Sequence, residues 1–192
     1  MEIQHVNVKL ILSRPEQVDL GQLIPVFHAW IQNQSPDELL LDIADYRHVP
    51  AGPGVVIIGH MGDYSVDDTD ARLGVRYNRK AALAGGNQDR LRQAARAALG
   101  ACRRLEEEPL FGGKLRFNGQ ELEIFVNDRL IAPNRDATRE ALQPEFEIFS
   151  RRLFRESQYS LSYNNDPRRL FTAYLKASGI FSVADLLANL DS

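Results

Sequence analysis

The sequence predicts an α+β fold, a twisted, mostly antiparallel sheet with helices packed largely on one face. Three observations carry that prediction. Residues 5–12 alternate, placing Val6, Val8, Leu10 and Leu12 on one side and His5, Asn7 and Lys9 on the other, the period of a half-buried strand. Over 91–105, Leu91, Ala95, Ala98, Cys102 and Leu105 recur at helical spacing and form one apolar stripe. Most of the strands follow one another across short turns, which favours antiparallel pairing over a doubly wound sheet.

After the first strand, 13–19 is a turn containing Pro15, and Asp19 to Gln22 has the spacing of a capping box. Pro25 suits a first helical turn, so the helix restarts there and runs to about residue 34 on Leu23, Phe27, Trp30 and Ile31. Ser35 to Glu38 reads as a turn, 39–46 as a strand and 49–54 as a rigid Pro-Gly loop. The β-branched run Val55, Val56, Ile57 and Ile58 opens a central strand that Tyr64 and Val66 continue. Within it, Gly59 and Gly62 mark a bulge or a close backbone approach. Leu73, Val75 and Tyr77 alternate as a returning strand before the long helix, which ends near residue 107.

In the second half, Asn118-Gly119 is the preferred pair of a type I′ turn, so 115–117 and 122–126 read as a hairpin. Residues 136–142 are helical, and Pro144 restarts a helix carrying Phe146, Phe149 and Leu153. A second hairpin joins 159–163 to 170–176, and Ser182 and Asp185 cap a short last helix. The expected order is β-α-β-β-β-α-β-β-α-β-β-α. It forms a single domain over 1–192, with sub-halves 1–109 and 110–192 sharing one core.

With 44% hydrophobic and 26% charged residues the chain has the composition of a globular protein. No apolar run approaches the roughly 20 residues of a membrane span, and the alternating N-terminus does not resemble a signal peptide. The lone Cys102 excludes an internal disulfide framework. A cytoplasmic protein without membrane contact is the expectation.

The net charge of −3 weighs against bulk nucleic-acid binding, but the charges are segregated. Residues 35–70 carry eight acids and one base, whereas 71–105 carry nine bases and one acid. Mutual neutralisation, within a subunit or across a dimer, accounts for that match better than phosphate contacts from the arginine-rich helix 90–104.

Candidate chemistry centres on residues 42–80. Asp45-x-x-His48 and His60-x-x-Asp63 contain the ligand types of a divalent metal site. Strand spacing sets the two histidines too far apart for one ion, so no metal and no cofactor is assigned. The narrower candidate is His60 as an acid or base oriented by Asp42 or Asp63, in a pocket at the ends of the 39–46 and 55–66 strands. Arg76 or Arg79 would hold an anionic substrate there, and Arg92, Arg96 and Arg103 offer a second basic surface. No G-x-S-x-G elbow, phosphate loop or dinucleotide fingerprint is present. The leading expectation is a non-catalytic binding or assembly protein that self-associates and accepts an acidic protein partner or a small anionic ligand. An enzyme built on His60 is the alternative, and nucleic-acid binding ranks below both.

Overall fold

The computed structural model describes residues 1–34, 38–50 and 52–192. The predicted turn at Ser35 to Glu38 and the Pro-Gly loop therefore fall partly outside the described residues. The predicted class is observed: four helices pack on one eight-stranded antiparallel sheet. The strands are β1 (Val6–Leu12), β2 (Leu40–Tyr46), β3 (Gly54–Gly59), β4 (Gly62–Asp67), β5 (Gly74–Arg79), β6 (Phe117–Val126), β7 (Tyr159–Tyr163) and β8 (Phe171–Ala177). The helices are α1 (Leu23–Gln32), α2 (Asn87–Glu107), α3 (Asp136–Phe154) and α4 (Val183–Asp191). Across the sheet the order is β2-β3-β4-β5-β1-β6-β8-β7, so the N-terminal strand lies in the middle. Among the described residues no helix is long and apolar enough to cross a membrane.

Strand alternation combined with register gives the sheet two unlike faces. On one face Tyr64, Tyr77, Val8, Ile124, Ala173 and Tyr163 lie side by side across six strands, beside the row Val66, Val75, Leu10, Leu122, Leu175 and Leu161. All four helices cover this face: α1 lies against β2 and β3, α2 against β1 and β5, α3 against β7, and α4 against β6. Each fully buried leucine, valine or phenylalanine in this layer contributes about 1.5–3 kcal/mol. Small residues let α2 sit close, since Ala94, Ala95, Ala98, Ala101 and Cys102 are all buried. Burial also raises the Cys102 thiol well above its usual range, so the residue acts as a small hydrophobe.

Three predicted elements differ from those observed. The strand expected over 55–66 is two strands, β3 and β4, joined by a tight turn at His60 and Met61. Both flanking glycines serve close approach: a Cβ on Gly59 would lie 2.3 Å from the Gly62 carbonyl oxygen, and one on Gly62 would lie 2.6 Å from the Tyr77 hydroxyl. The Glu38 carboxylate anchors the turn by accepting the Met61 (2.8 Å) and Gly62 N–H groups. Conversely, Asn118-Gly119 is not a hairpin turn. It lies inside the continuous strand β6, where pairing with β1 shifts between Leu10–Leu122 and Leu12–Phe117. Glycine is required at 119 because the chain at Phe181 passes over it: a Cβ there would lie 2.1 Å from the Phe181 carbonyl oxygen.

The third difference is α3, one helix of 19 residues with Pro144 in its interior. Pro144 is exposed, so water can replace the hydrogen bond that the ring denies to the preceding turn, while Leu142, Phe146 and Phe149 hold both halves on the sheet. Replacing it should therefore stabilise the protein. Pro144→Ala is expected to raise unfolding free energy by up to about 3 kcal/mol, measured by urea denaturation; an unchanged or lower value would contradict this account.

Candidate functional site

Among the described residues no α-helix covers the second sheet face, yet its centre is buried. Register places Ser65, Arg76, Lys9, Glu123, Tyr174 and Ser162 in one row across it, and Asp63, Asn78, Asn7, Phe125 and Thr172 in the next. Asn7, Lys9, Asp67 and Glu123 are all less than a tenth exposed. The polar side of β1, expected to be solvated, is thus as dry as its apolar side. Two loops account for the cover. Residues 68–73 and 164–170 reach over this face and are joined by Asp70 and Arg169, whose carboxylate and guanidinium lie 2.7 Å apart. Asp70 and Ala71 both adopt left-handed backbone (φ 63° and 55°), a conformation unfavourable for alanine, so the loop is held by its contacts against local preference.

Beneath the loops, charges are paired. Lys9 binds Asp67, and Arg72 bridges Glu121 (2.6 Å) and Glu123 (2.9 Å). Burial raises the Glu123 carboxyl above its usual range, against the pull of Arg72 and Lys9.

Beside this network the loops leave a pocket of about 230 Å³ lined by four arginines, Arg76, Arg129, Arg168 and Arg169, of which Arg129 and Arg168 are exposed at its rim. Its remaining lining includes Phe125, Asn164, Thr172 and Tyr174. The Arg76 guanidinium carbon lies over the Phe125 ring, 4.2 Å from its centroid, a cation–π contact that restrains the side chain. Its Nε is buried and has no hydrogen-bond partner among the described residues, and burial lowers its pKa against the opposing effect of Asp67 and Glu123. Arg168 is held by Asp166 and Arg169 by Asp70, whereas Arg129 has no carboxylate partner among the described residues. A larger neighbouring cleft of about 380 Å³ holds Arg72, Glu121, Glu123 and Lys176, with more balanced charge.

The residues singled out from sequence are distributed differently. Of the predicted anion-holding residues, Arg76 lines the arginine pocket, while Arg79 donates to the Ala81 carbonyl (2.8 Å). Arg92 faces Asp89 and Arg103 faces Glu107 along the exposed side of α2, and Arg96 faces Asp191 at the end of α4. Only Asp63 and Lys80, 2.6 Å apart, join the acidic segment to the basic one among the described residues, so within one subunit the two segments scarcely neutralise each other.

The Asp42–His60–Asp63 arrangement is not assembled. Asp42 opposes Ile58, is exposed, and accepts the Ile43 N–H (2.8 Å); Asp63 is engaged by Lys80 and the Gly59 N–H. His60 is exposed in the β3–β4 turn and pairs with no carboxylate among the described residues. The physical reason is the β2–β3 register: Tyr46 pairs with Gly54, which sets Asp42 opposite Ile58, two residues short of His60. Asp45 is claimed by Arg47, whose hydrogen bonds hold its carboxyl down to about 2. The Gly86 N–H at the start of α2 is likewise taken by Asp89 (2.9 Å). Sequence reasoning missed Phe125, Arg129, Arg168, Arg169 and Tyr174; the available signal was the Arg168-Arg169 pair in a loop otherwise read as a plain hairpin connection.

Comparison with protein-family models, with curated proteins and with solved structures finds no match for this chain.

Two outcomes follow from the buried charges. Asp67→Ala strands the Lys9 ammonium and should cost about 3–5 kcal/mol in urea unfolding, a loss that the apolar double replacement Lys9→Met with Asp67→Leu should largely remove. Equal losses in both variants would argue against a desolvated pair. Because the folded-state pKa of Glu123 lies above its unfolded value near 4.5, its contribution to stability is full below that pH and lost as pH rises through the folded value. Glu123→Gln should therefore flatten the decline of stability above pH 4.5; an unaltered pH profile would rule this out.

Proposed function

We propose that this chain is a non-catalytic binding protein whose loop-covered sheet face receives a small anionic ligand in the arginine pocket. The observation that carries the reading is that Arg76, Arg129, Arg168 and Arg169 line one pocket, with Arg76 held over Phe125 and its Nε unpartnered among the described residues. Guanidinium groups present planar, forked donors that match carboxylate and phosphate oxygens. Held on a β-strand and stacked on a ring, Arg76 has little rotamer entropy left to lose on binding. Arg129, Arg168 and Arg169 lie on loops and supply adjustable contacts around it.

Binding without chemistry fits the lining. Arginine stays protonated at any physiological pH, and the hydroxyls and amide of Thr172, Tyr174 and Asn164 orient a ligand without moving protons near neutrality. The pocket's carboxylate, Asp70, is occupied by Arg169. An anion that competes for Arg169 would release Asp70 and with it the strained turn at 70–71, so binding and loop opening are linked.

Isothermal titration with inorganic phosphate, citrate and phenyl phosphate, with neutral phenol as control, tests the reading. At least one anion should bind saturably, with affinity falling as salt rises. Arg76→Gln should weaken that binding roughly 10- to 100-fold, the loss of one charge-assisted contact of about 1.5–3 kcal/mol, while leaving the fold intact. Absence of saturable binding to every anion, or equal binding by Arg76→Gln, would refute the proposal.

A further inference from the structure

The two edges of the sheet are protected to different degrees. Strand β2 carries Asp42 and Asp45, is followed by Arg47, and is interrupted by a bulge at Leu41, the devices that deter edge-to-edge pairing. Strand β7, at the other edge, reads Tyr-Ser-Leu-Ser-Tyr: it has no charge, no proline and no bulge, and is the same in either direction. From this contrast we propose that β7 pairs antiparallel with β7 of a second copy of this chain, about a two-fold axis at Leu161, extending the sheet across a symmetric dimer. The inference is independent of the anion pocket and rests on the strand edge.

Backbone phase supports it. The Asn164 N–H donates to the Thr172 carbonyl (3.0 Å) and the Ser178 N–H to the Gln158 carbonyl (2.8 Å), which makes 158, 160, 162 and 164 the positions that exchange hydrogen bonds with β8. The N–H and C=O groups of Tyr159, Leu161 and Tyr163 therefore point away from the sheet, on an edge where no further strand is paired among the described residues. A two-fold at Leu161 sets Leu161 against the partner's Leu161 and Tyr159 against the partner's Tyr163. Every outward donor then meets an outward acceptor.

Side chains match in the same register. On the helix face the half-buried Tyr159, Leu161 and Tyr163 of both copies would form one apolar seam, and on the other face exposed Ser160 would lie opposite the partner's Ser162. The flanking helix is complementary as well. Arg139 of α3 sits 6.0 Å from the Tyr163 ring centroid, and the Glu147 carbonyl accepts the Tyr159 hydroxyl (3.3 Å). Opposing Tyr163 to the partner's Tyr159 brings Arg139, paired with Asp136 in its own protomer, to the side of the partner's Glu147, paired with Arg151 in its own, so no like charges are forced together. An unrelated protein's strand would not require this self-complementarity; a second copy does.

Light scattering after size exclusion tests the proposal on the full chain. Wild type should run at twice the 21.7 kDa of one chain, dissociating on dilution. The double variant Ser160→Lys with Ser162→Lys sets like charges opposite one another at exposed positions and should weaken the dimer about tenfold or more. Ser160→Lys with Ser162→Glu sets opposite charges across the same axis and should restore it. Leu161→Pro removes an outward N–H that nothing within the protomer uses and should give a monomer, with circular dichroism confirming that the fold is kept. A monomeric wild type, a lysine double variant that dimerises unchanged, or a lysine–glutamate variant no better than the lysine one would each overturn the inference.

Discussion

A strand at the centre of an eight-stranded sheet has neighbours on both edges and, here, cover on both faces, and β1 must satisfy all four boundaries with seven residues. Its apolar side chains meet the helices, while Asn7 and Lys9 enter a second layer almost as dry. A buried ammonium is tolerable only when a carboxylate is held beside it, so Lys9 requires Asp67 at the end of β4. That requirement ties the N-terminus to the start of the 68–73 loop. Through Asp70 the same loop reaches Arg169, and through Arg72 it reaches Glu121 and Glu123 on β6. The polar layer is consequently one connected arrangement anchored on the central strand.

The two faces divide the work of the molecule. Stability comes from the helix side, where close-packed aliphatic and aromatic rows exclude water without needing matched partners. Specific geometry comes from the other side, where each buried charge has to be met by a particular group and loops are drawn across the sheet to do it. A pocket between such loops inherits fixed floor residues, Arg76 and Phe125, from strands, and adjustable walls from the loops. The left-handed backbone at Asp70 and Ala71 fits that division, since strained turns persist where surrounding contacts over-determine them.

The sheet edges complete the picture of how the fold manages exposed backbone. β2 is closed to further pairing by charge and by a bulge, while its register with β3 sets Asp42 opposite Ile58 and so dissolves the acid–base constellation suggested by sequence spacing. β7 has neither device, and its uncharged palindrome is compatible with a symmetric neighbour.

The sequence by itself determined the fold class, the four helices and most strands, because periods of two and 3.6 residues record which side of each element meets the core. Val6 to Leu12, the stripe from Leu91 to Leu105 and the Ser182 cap were all legible for that reason. Glycine was ambiguous: at 59 and 62 it accompanies a turn, and at 119 it accommodates a crossing backbone, and local spacing does not distinguish those uses. Pro144 was read as a helix boundary because local cost was visible while the packing of Phe146 and Phe149 that outweighs it was not. Arg76 was legible as an anion-holding candidate, but its companions Arg129, Arg168 and Arg169 lie far along the chain and reach the pocket only through strand order. Only the tertiary structure decided that the polar face of β1 is buried, that Lys9 faces Asp67, and that the charges at 35–70 and 71–105 find most of their partners elsewhere. Periodicity records burial along one element; ion pairing depends on which elements become neighbours, and register sets that.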